Sequence, residues 1–136
     1  MVREIMRDPL FLAAPSVEAA QEDLSTAQDL LDTLRANRER CVGMAANMIG
    51  KAVCIIAFDD GGKYTLMYNP EIMKAEGAYE TEEGCLSLPG VRKTTRYQTI
   101  RVRFRDTQWR MLTKTYKGWT AQIIQHEVDH LNGVLI

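Results

Sequence analysis

The sequence predicts an α+β fold with an amphipathic helix near the N-terminus, several strands in the middle and a second helix near the C-terminus. Helical periodicity is confined to the two ends of the chain, and strand patterns occupy the middle. This order of helix, strands and helix differs from the regular strand–helix alternation of parallel α/β proteins, so it favours antiparallel pairing.

The first helix is expected over residues 16–40. Apolar side chains recur there at spacings of three and four and mark one buried face: Leu24, Ala27, Leu31 and Leu34. Ser16 follows a proline and is the expected N-cap, and arginines near the end suit the negative end of the helix dipole. The pattern predicts an amphipathic scaffold helix.

A hairpin is predicted in the middle of the chain. Residues 52–58 are uniformly apolar and predict a buried strand, which a turn at 59–62 joins to a second strand at 64–68. Asn69 and Pro70 are expected to end that hairpin, because proline donates no hydrogen bond to a sheet.

The last third of the chain contains two more strands and a helix. Residues 99–105 alternate apolar side chains with arginine, which is typical of a half-buried antiparallel strand. Residues 111–116 are expected to pair with it after a turn. Residues 120–131 then predict a helix that Asn132 and Gly133 close.

Composition limits the function classes. A chain of 136 residues with 46% hydrophobic residues can bury a core, and residues 1–136 are expected to form a single domain. The net charge of −1 offers no basic field for nucleic acid. No apolar run is long enough to span a membrane. Three cysteines, an odd number, favour a reducing compartment, and we expect a cytoplasmic protein.

The predicted last helix carries a metal-binding pattern. His126 and His130, the only two histidines of the chain, are four residues apart, so both imidazoles project from one helix face. Glu127 follows the first histidine, where a carboxylate can reach a water bound to a metal. This H-E-x-x-H spacing is typical of a catalytic metal site with a glutamate as general base.

The third metal ligand must come from upstream, since no histidine, cysteine or carboxylate follows His130. Cys85 is the best candidate, because Gly84 before it permits a close backbone approach and a Pro-Gly turn follows. Cys41 ranks second, and Cys54 ranks third because it lies within an apolar strand. Upstream carboxylates remain open as alternatives.

Three segments together resemble the peptide deformylase family. The family's ordered motifs are G-x-G-[aliphatic]-A-A-x-Q, E-G-C-L-S and Q/H-E-x-D-H. This chain has C-V-G-M-A-A-N-M at 41–48, E-G-C-L-S at 83–87 and Q-H-E-V-D-H-L at 125–131. The order and approximate spacing match along the whole chain, and the second and third motifs together are highly specific.

The resemblance implies an α+β fold in which antiparallel or mixed β-sheets pack around a central metal-binding H-E-x-x-H helix. It implies a mononuclear Fe(II) site, replaceable by Zn(II) or Ni(II), with Cys85, His126 and His130 as ligands. It implies removal of the formyl group from N-terminal formylmethionine of nascent chains, with release of formate. Glu127 is then the general base, and the Leu86 N–H helps to hold the oxyanion. Many bacterial members continue into a C-terminal segment used at the ribosome, so we do not predict direct ribosome docking here.

The resemblance also implies a set of substrate-binding residues: Val42, Gly43, Met44, Met48, Gly84, Arg92 and Ile123. Met48 stands where the family has a glutamine, and a thioether cannot donate the hydrogen bond that such an amide gives to the oxyanion. Asp129 is expected to orient a neighbouring backbone group or arginine.

Three alternatives compete with an active deformylase. A deformylase-like paralogue would keep the metal and the peptide groove but turn over weakly, because Met48 lacks the oxyanion donor. A metalloprotease would use the same H-E-x-x-H pattern, but its third ligand normally lies downstream. A structural zinc site would leave Glu127 without a role and one coordination position open.

Overall fold

The computed structural model describes residues 1–136 and contains one antiparallel sheet. Each strand pairs with the next in sequence, in the order Gly43–Ala45 (β1), Ile55–Asp60 (β2), Lys63–Gly84 (β3), Val91–Arg105 (β4) and Met111–Lys117 (β5). The helices are Pro9–Leu12 (α1), Leu24–Ala36 (α2) and Gly118–Leu131 (α3), with 3₁₀ turns at Gln21–Asp23 and Ala46–Ile49. The predicted α+β class is confirmed, with one five-stranded sheet instead of several. No helix combines the length and the apolar character needed to cross a membrane.

Strand β2 is buried on both faces, which explains its continuous apolar sequence. Ile56 and Phe58 belong to the core cluster that α3 forms with the sheet. Ile55 and Ala57 point the other way, into the cluster formed with α2. The two helices therefore cover opposite faces of the sheet at β2, and each helix has its own apolar core.

The first long helix is shorter than expected. Helix α2 begins at Leu24, not near residue 16, and a 3₁₀ turn precedes it. Ser16 is not an N-cap, because its N–H donates to the Leu131 carbonyl at 2.8 Å. Val17 forms a parallel bridge with Val53. Tertiary hydrogen bonds to α3 and to the start of β2 thus hold this segment in an extended form.

Asn69 and Pro70 do not end the second strand; they bend it. Strand β3 continues to Gly84, with a register shift between Tyr68 and Glu71. Asn69 has a φ of 52°, and its amide exchanges two hydrogen bonds with the backbone of Ala19. The prediction was wrong because a bulge tolerates a proline that a regular ladder would reject.

The hairpin of β3 and β4 carries the E-G-C-L-S motif at its tip. Strand β4 begins at Val91, well before the predicted residue 99, and Gly84 pairs with Val91. Residues 85–90 form the connecting loop. Extending both strands therefore brings Cys85 to the end of the hairpin, beside α3.

Helix α3 ends at Leu131, and Gly133 follows with a φ of 75°. We expect Gly133→Ala to lower the free energy of unfolding by about 2–4 kcal/mol, since the left-handed backbone penalises alanine and a Cβ there would overlap the Ala13 carbonyl. Gly61→Ala is the matched control, because Gly61 also has a positive φ (61°) but has open space around it. Urea unfolding measures both losses. Equal losses would contradict the predicted overlap.

Candidate active site

Three metal-ligating side chains converge where the β3–β4 hairpin meets α3. The Cys85 Sγ lies 3.2 Å from the His130 Nε2, and the two histidine Nε2 atoms lie 3.1 Å apart. The three donor atoms all lie within 4.8 Å of one another. Donors around a tetrahedral ion with bonds of about 2.0–2.3 Å lie roughly 3.3–3.8 Å apart, so small outward shifts of these side chains would accommodate an ion. The group therefore fits one metal ion.

A buried carboxylate orients the first imidazole. The His126 Nδ1 lies 2.8 Å from the Glu83 Oε1, so a hydrogen bond from Nδ1–H leaves Nε2 facing the other donors. Burial alone raises the pKa of Glu83, but hydrogen bonds from His126, Arg96 and Gln122 outweigh it and lower the pKa to about 2. Glu83 is therefore ionised at neutral pH.

Arg96 compensates that anion and connects it to α3. Its guanidinium donates two hydrogen bonds to Glu83 Oε1, at 3.1 and 2.7 Å, and one to Asp129 Oδ2 at 2.7 Å. The side chains of Arg96 and Glu83 are 4% and 8% exposed, so water screens the pair little. Asp129 thus faces an arginine, one of the two partners expected for it.

Asn47 anchors the backbone of the second histidine. Asn47 donates from Nδ2 to the His130 backbone carbonyl at 2.8 Å. Burial is the main cause that lowers the pKa of His130 to about 3, and the nearby His126 ring is the second cause. The His130 ring is therefore neutral at pH 7 and keeps a nitrogen lone pair available for a metal.

Glu127 lies beside the three donors and is 4% exposed. Its Oε1 has no hydrogen-bond partner within the chain. Burial raises the pKa of Glu127 to about 7, and His126 opposes only part of this shift. A carboxyl group with a pKa near 7 is suited to exchange protons with a substrate at neutral pH.

Gly43 permits α3 to approach β1 at this point. A Cβ on Gly43 would lie 2.8 Å from the Ile123 Cγ2 and 2.9 Å from the Glu127 Oε2. Both distances are shorter than van der Waals contact allows, so any side chain here would push Glu127 away from the donors.

A pocket opens beside the donors, and most predicted substrate-binding residues line it: Val42, Gly43, Met48, Gly84 and Ile123. Leu86 lines it as well, and its N–H makes no hydrogen bond within the chain. Two predicted residues do not line the pocket. The Met44 side chain is fully buried in the core under α2. Arg92 is the cross-strand neighbour of Glu83 and is absent from the residues that line the pocket.

Met48 lines the pocket but is only 1% exposed, because its side chain belongs to the core cluster under α2. Its Sδ accepts a weak hydrogen bond from the Ala45 N–H at 3.5 Å. The neighbouring Asn47 points to α3, so its amide does not replace the missing glutamine in the pocket.

The three cysteines occupy different environments. Cys85 is the one in the donor group. Cys41 also lines the pocket, but its thiol donates to the Gly43 carbonyl at 2.7 Å, and burial raises its pKa to about 12. Cys54 packs against the core cluster that α3 forms with the sheet. All three thiols are free.

Residues without a motif complete the site, and sequence reasoning missed them. Arg96 and Gln122 both hydrogen-bond to Glu83, and Trp119, which is 62% exposed, lines the mouth of the pocket. Gln122 lies four residues before His126, on the same helix face. That spacing was the one available signal; Arg96 offered none.

The comparisons with known proteins agree with this geometry. The family model described as polypeptide deformylase matches residues 2–136. A peptide deformylase of Clostridium beijerinckii is 51% identical over 136 residues, covering 100% of both chains. These two matches extend over essentially the whole chain.

Solved structures share the same fold. A peptide deformylase from Thermotoga maritima superposes with a TM-score of 0.89 at 28% identity, covering 99% of this chain and 95% of that one. A class I type b peptide deformylase from Acinetobacter baumannii, solved with Met-Ala-Ser bound, has a TM-score of 0.86 at 25% identity, covering 99% and 96%. The family model and the relatives match this chain over essentially its whole length, and the solved structures share its fold. This chain therefore belongs to the peptide deformylase family.

Proposed function

We propose that this chain removes the formyl group from formylmethionine at the N-terminus of nascent proteins, with a divalent ion held by Cys85, His126 and His130. Family membership makes the chain a hydrolase that acts on formylated peptides. The observation that carries the finer proposal is the convergence of these three donors beside the buried Glu127 carboxylate. Residues 1–136 act together as one catalytic domain.

The donor chemistry supports a catalytic site over a structural one. One thiolate and two imidazoles suit ferrous iron, zinc and nickel, and we propose Fe(II) as the native ion, with Zn(II) or Ni(II) as substitutes. Three protein ligands leave a coordination position open for substrate or water. An ion held there supplies a Lewis acid that polarises the formyl carbonyl and lowers the pKa of the attacking water.

Glu127 handles the proton. It accepts a proton from the attacking water, whose oxygen forms a bond to the formyl carbon. It then delivers that proton to the methionine nitrogen as the carbon–nitrogen bond breaks. Formate and a free amino terminus are the products. The apolar surroundings of Glu127 keep its basicity close to that required at neutral pH.

The Leu86 N–H is the backbone donor for the oxyanion, because it has no partner within the chain and lines the pocket. The peptide adds as an extended strand to the free side of β1, which is an edge strand of the sheet. The complex of the Acinetobacter baumannii enzyme with Met-Ala-Ser supports a methionine-led peptide as the ligand.

The proposal includes a cytoplasmic location, which three free thiols suit. No finding favours the weakly active paralogue. The metalloprotease alternative lacks a downstream ligand, since Cys85 completes the donor group from the upstream side. A structural zinc site would leave the unpartnered Glu127 carboxylate buried without a function.

We expect Glu127→Ala to reduce kcat for formyl-Met-Ala-Ser by about 10²–10⁴-fold while the metal stays bound, because the general base is lost. Anaerobic kinetics with Fe(II)-, Ni(II)- and Zn(II)-loaded protein, together with metal analysis, measure this effect. Glu82→Ala is the control, since that exposed carboxylate lines the same pocket at its rim and is expected to matter far less. Turnover by Glu127→Ala at the parental rate would contradict the proposed function.

The weakly active alternative predicts that Met48→Gln raises kcat by about 10²-fold, because the amide would restore a hydrogen-bond donor to the oxyanion. The proposed function, in which the Leu86 N–H already stabilises the oxyanion, predicts no such increase. Met48→Leu fills the same volume without a donor and is expected to give no such increase. Steady-state kinetics on one formylated tripeptide compare the three proteins. If Met48→Gln is no faster than the parent, another group already supplies this stabilisation.

We expect Arg96→Met to lower the free energy of unfolding by about 3–5 kcal/mol, because it strands the Glu83 carboxylate in the interior. Arg103→Met on the same strand breaks only the exposed pair with Glu71 and is expected to cost less than about 1 kcal/mol. Urea unfolding of the metal-free proteins separates them. Similar losses in both variants would show that the Arg96 pair contributes no more than a surface pair.

A further inference from the structure

The catalytic pocket continues into a second depression, here called the outer groove, which is lined by Arg7, Arg40 and residues 84–90. Four residues line both spaces: Arg40, Gly84, Cys85 and Leu86. A ligand longer than the formylated methionine can therefore extend from the pocket into the outer groove without leaving the protein surface.

The direction of the peptide follows from the position of Glu127. Glu127 lies against Gly43, so the formyl group must be placed at that end of the pocket. The segment that precedes β1 leads away from Gly43 through Val42 and Cys41 to Arg40. An extended peptide advances about 3.3 Å per residue. Its second and third residues therefore pass Arg40 and the mouth of the outer groove.

The outer groove is positively charged and contains no compensating acid. Arg40 donates from Nη2 to the Asn37 amide oxygen at 2.8 Å, and Arg7 donates from Nη1 to the Leu86 carbonyl at 2.9 Å. Both bonds are to neutral acceptors, so they aim the guanidiniums without neutralising them. No carboxylate lies among the groove residues. Glu82, an exposed acid, lines the catalytic pocket together with Arg40 but does not line the outer groove.

We propose that Arg7 and Arg40 form a carboxylate-binding rim that selects nascent chains with aspartate or glutamate at the second or third residue. The inference rests on the proposed deformylase function and names a substrate preference of the same site. A guanidinium binds a carboxylate through charge-assisted hydrogen bonds. Because both arginines are exposed, the attraction is moderate and decreases with salt.

The test compares formyl-Met-Ala-Xaa-Ala amides with glutamate, glutamine or lysine at Xaa, and a second set with Xaa directly after methionine. Amidation removes the C-terminal carboxylate of each peptide. The effect of that carboxylate is measured separately with the free-acid form of the glutamine peptide. We expect kcat/KM for glutamate to exceed that for lysine by about threefold to tenfold at low salt. We expect the difference to arise in KM. It should shrink in 0.5 M salt, where the Debye screening length is only about 4 Å.

Variants assign the preference to the rim. Arg40→Gln is expected to bring the glutamate-to-lysine ratio close to one, and Arg40→Glu to invert it. Arg7→Gln tests the second cation. Arg38→Gln removes the same charge from an exposed neighbour that does not line the groove, and is expected to leave the ratio unchanged.

The outcomes separate the two proposals. Turnover of all peptides at equal kcat/KM, or an equal loss of preference in Arg38→Gln, would overturn the rim while leaving the deformylase function intact. A preference only for the free-acid peptide would also overturn it, because the arginines would then bind the C-terminal carboxylate and not an acidic side chain. No turnover of any peptide by the metal-loaded protein would instead overturn the proposed function.

Discussion

The site depends on one buried carboxylate. Glu83 lies at the end of β3, contacts the His126 imidazole of α3 and accepts hydrogen bonds from Arg96 of β4. An anion that is 8% exposed is stable only with a cation and several donors around it. The same contacts that satisfy Glu83 also fasten the hairpin to the helix and turn one histidine toward Cys85. The hydrogen bonds of Glu83 therefore contribute both to the stability of the fold and to the geometry of the site.

The rest of the fold positions the contact between the β3–β4 hairpin and α3. The long β3–β4 hairpin delivers Cys85 to α3, and glycine at position 43 lets β1 approach closely enough to enclose Glu127. Asn47 anchors the C-terminal half of the metal-binding pattern through the His130 carbonyl. Two separate cores, one on each face of the sheet, hold these elements in place. The reactive side chains are thus carried by regular structure and one short loop.

Local patterns predicted part of this arrangement. The four-residue spacing of His126 and His130 needed only helix periodicity. Cys85 ranked first among three cysteines because of the glycine before it and the Pro-Gly turn after it, and the family resemblance then implied it as the third ligand. Arg96 could not be found in this way, because its role arises from the strand register that places it beside Glu83 and Asp129. The same holds for Ser16, whose hydrogen bond to the end of α3 overrides its local preference for a cap. The Met44 side chain lies in the core and not in the pocket, because one strand presents alternate residues to opposite faces.

Cobalt(II) substitution tests the central claim, a single ion bound by Cys85, His126 and His130, most directly. The Co(II)-loaded protein should show a thiolate-to-cobalt charge-transfer band at one equivalent of metal. The band should disappear in Cys85→Ser and persist in Cys41→Ser, whose thiol lines the pocket but lies outside the donor group. A band that survives in Cys85→Ser, or is lost in Cys41→Ser, would contradict this assignment of the metal ligands.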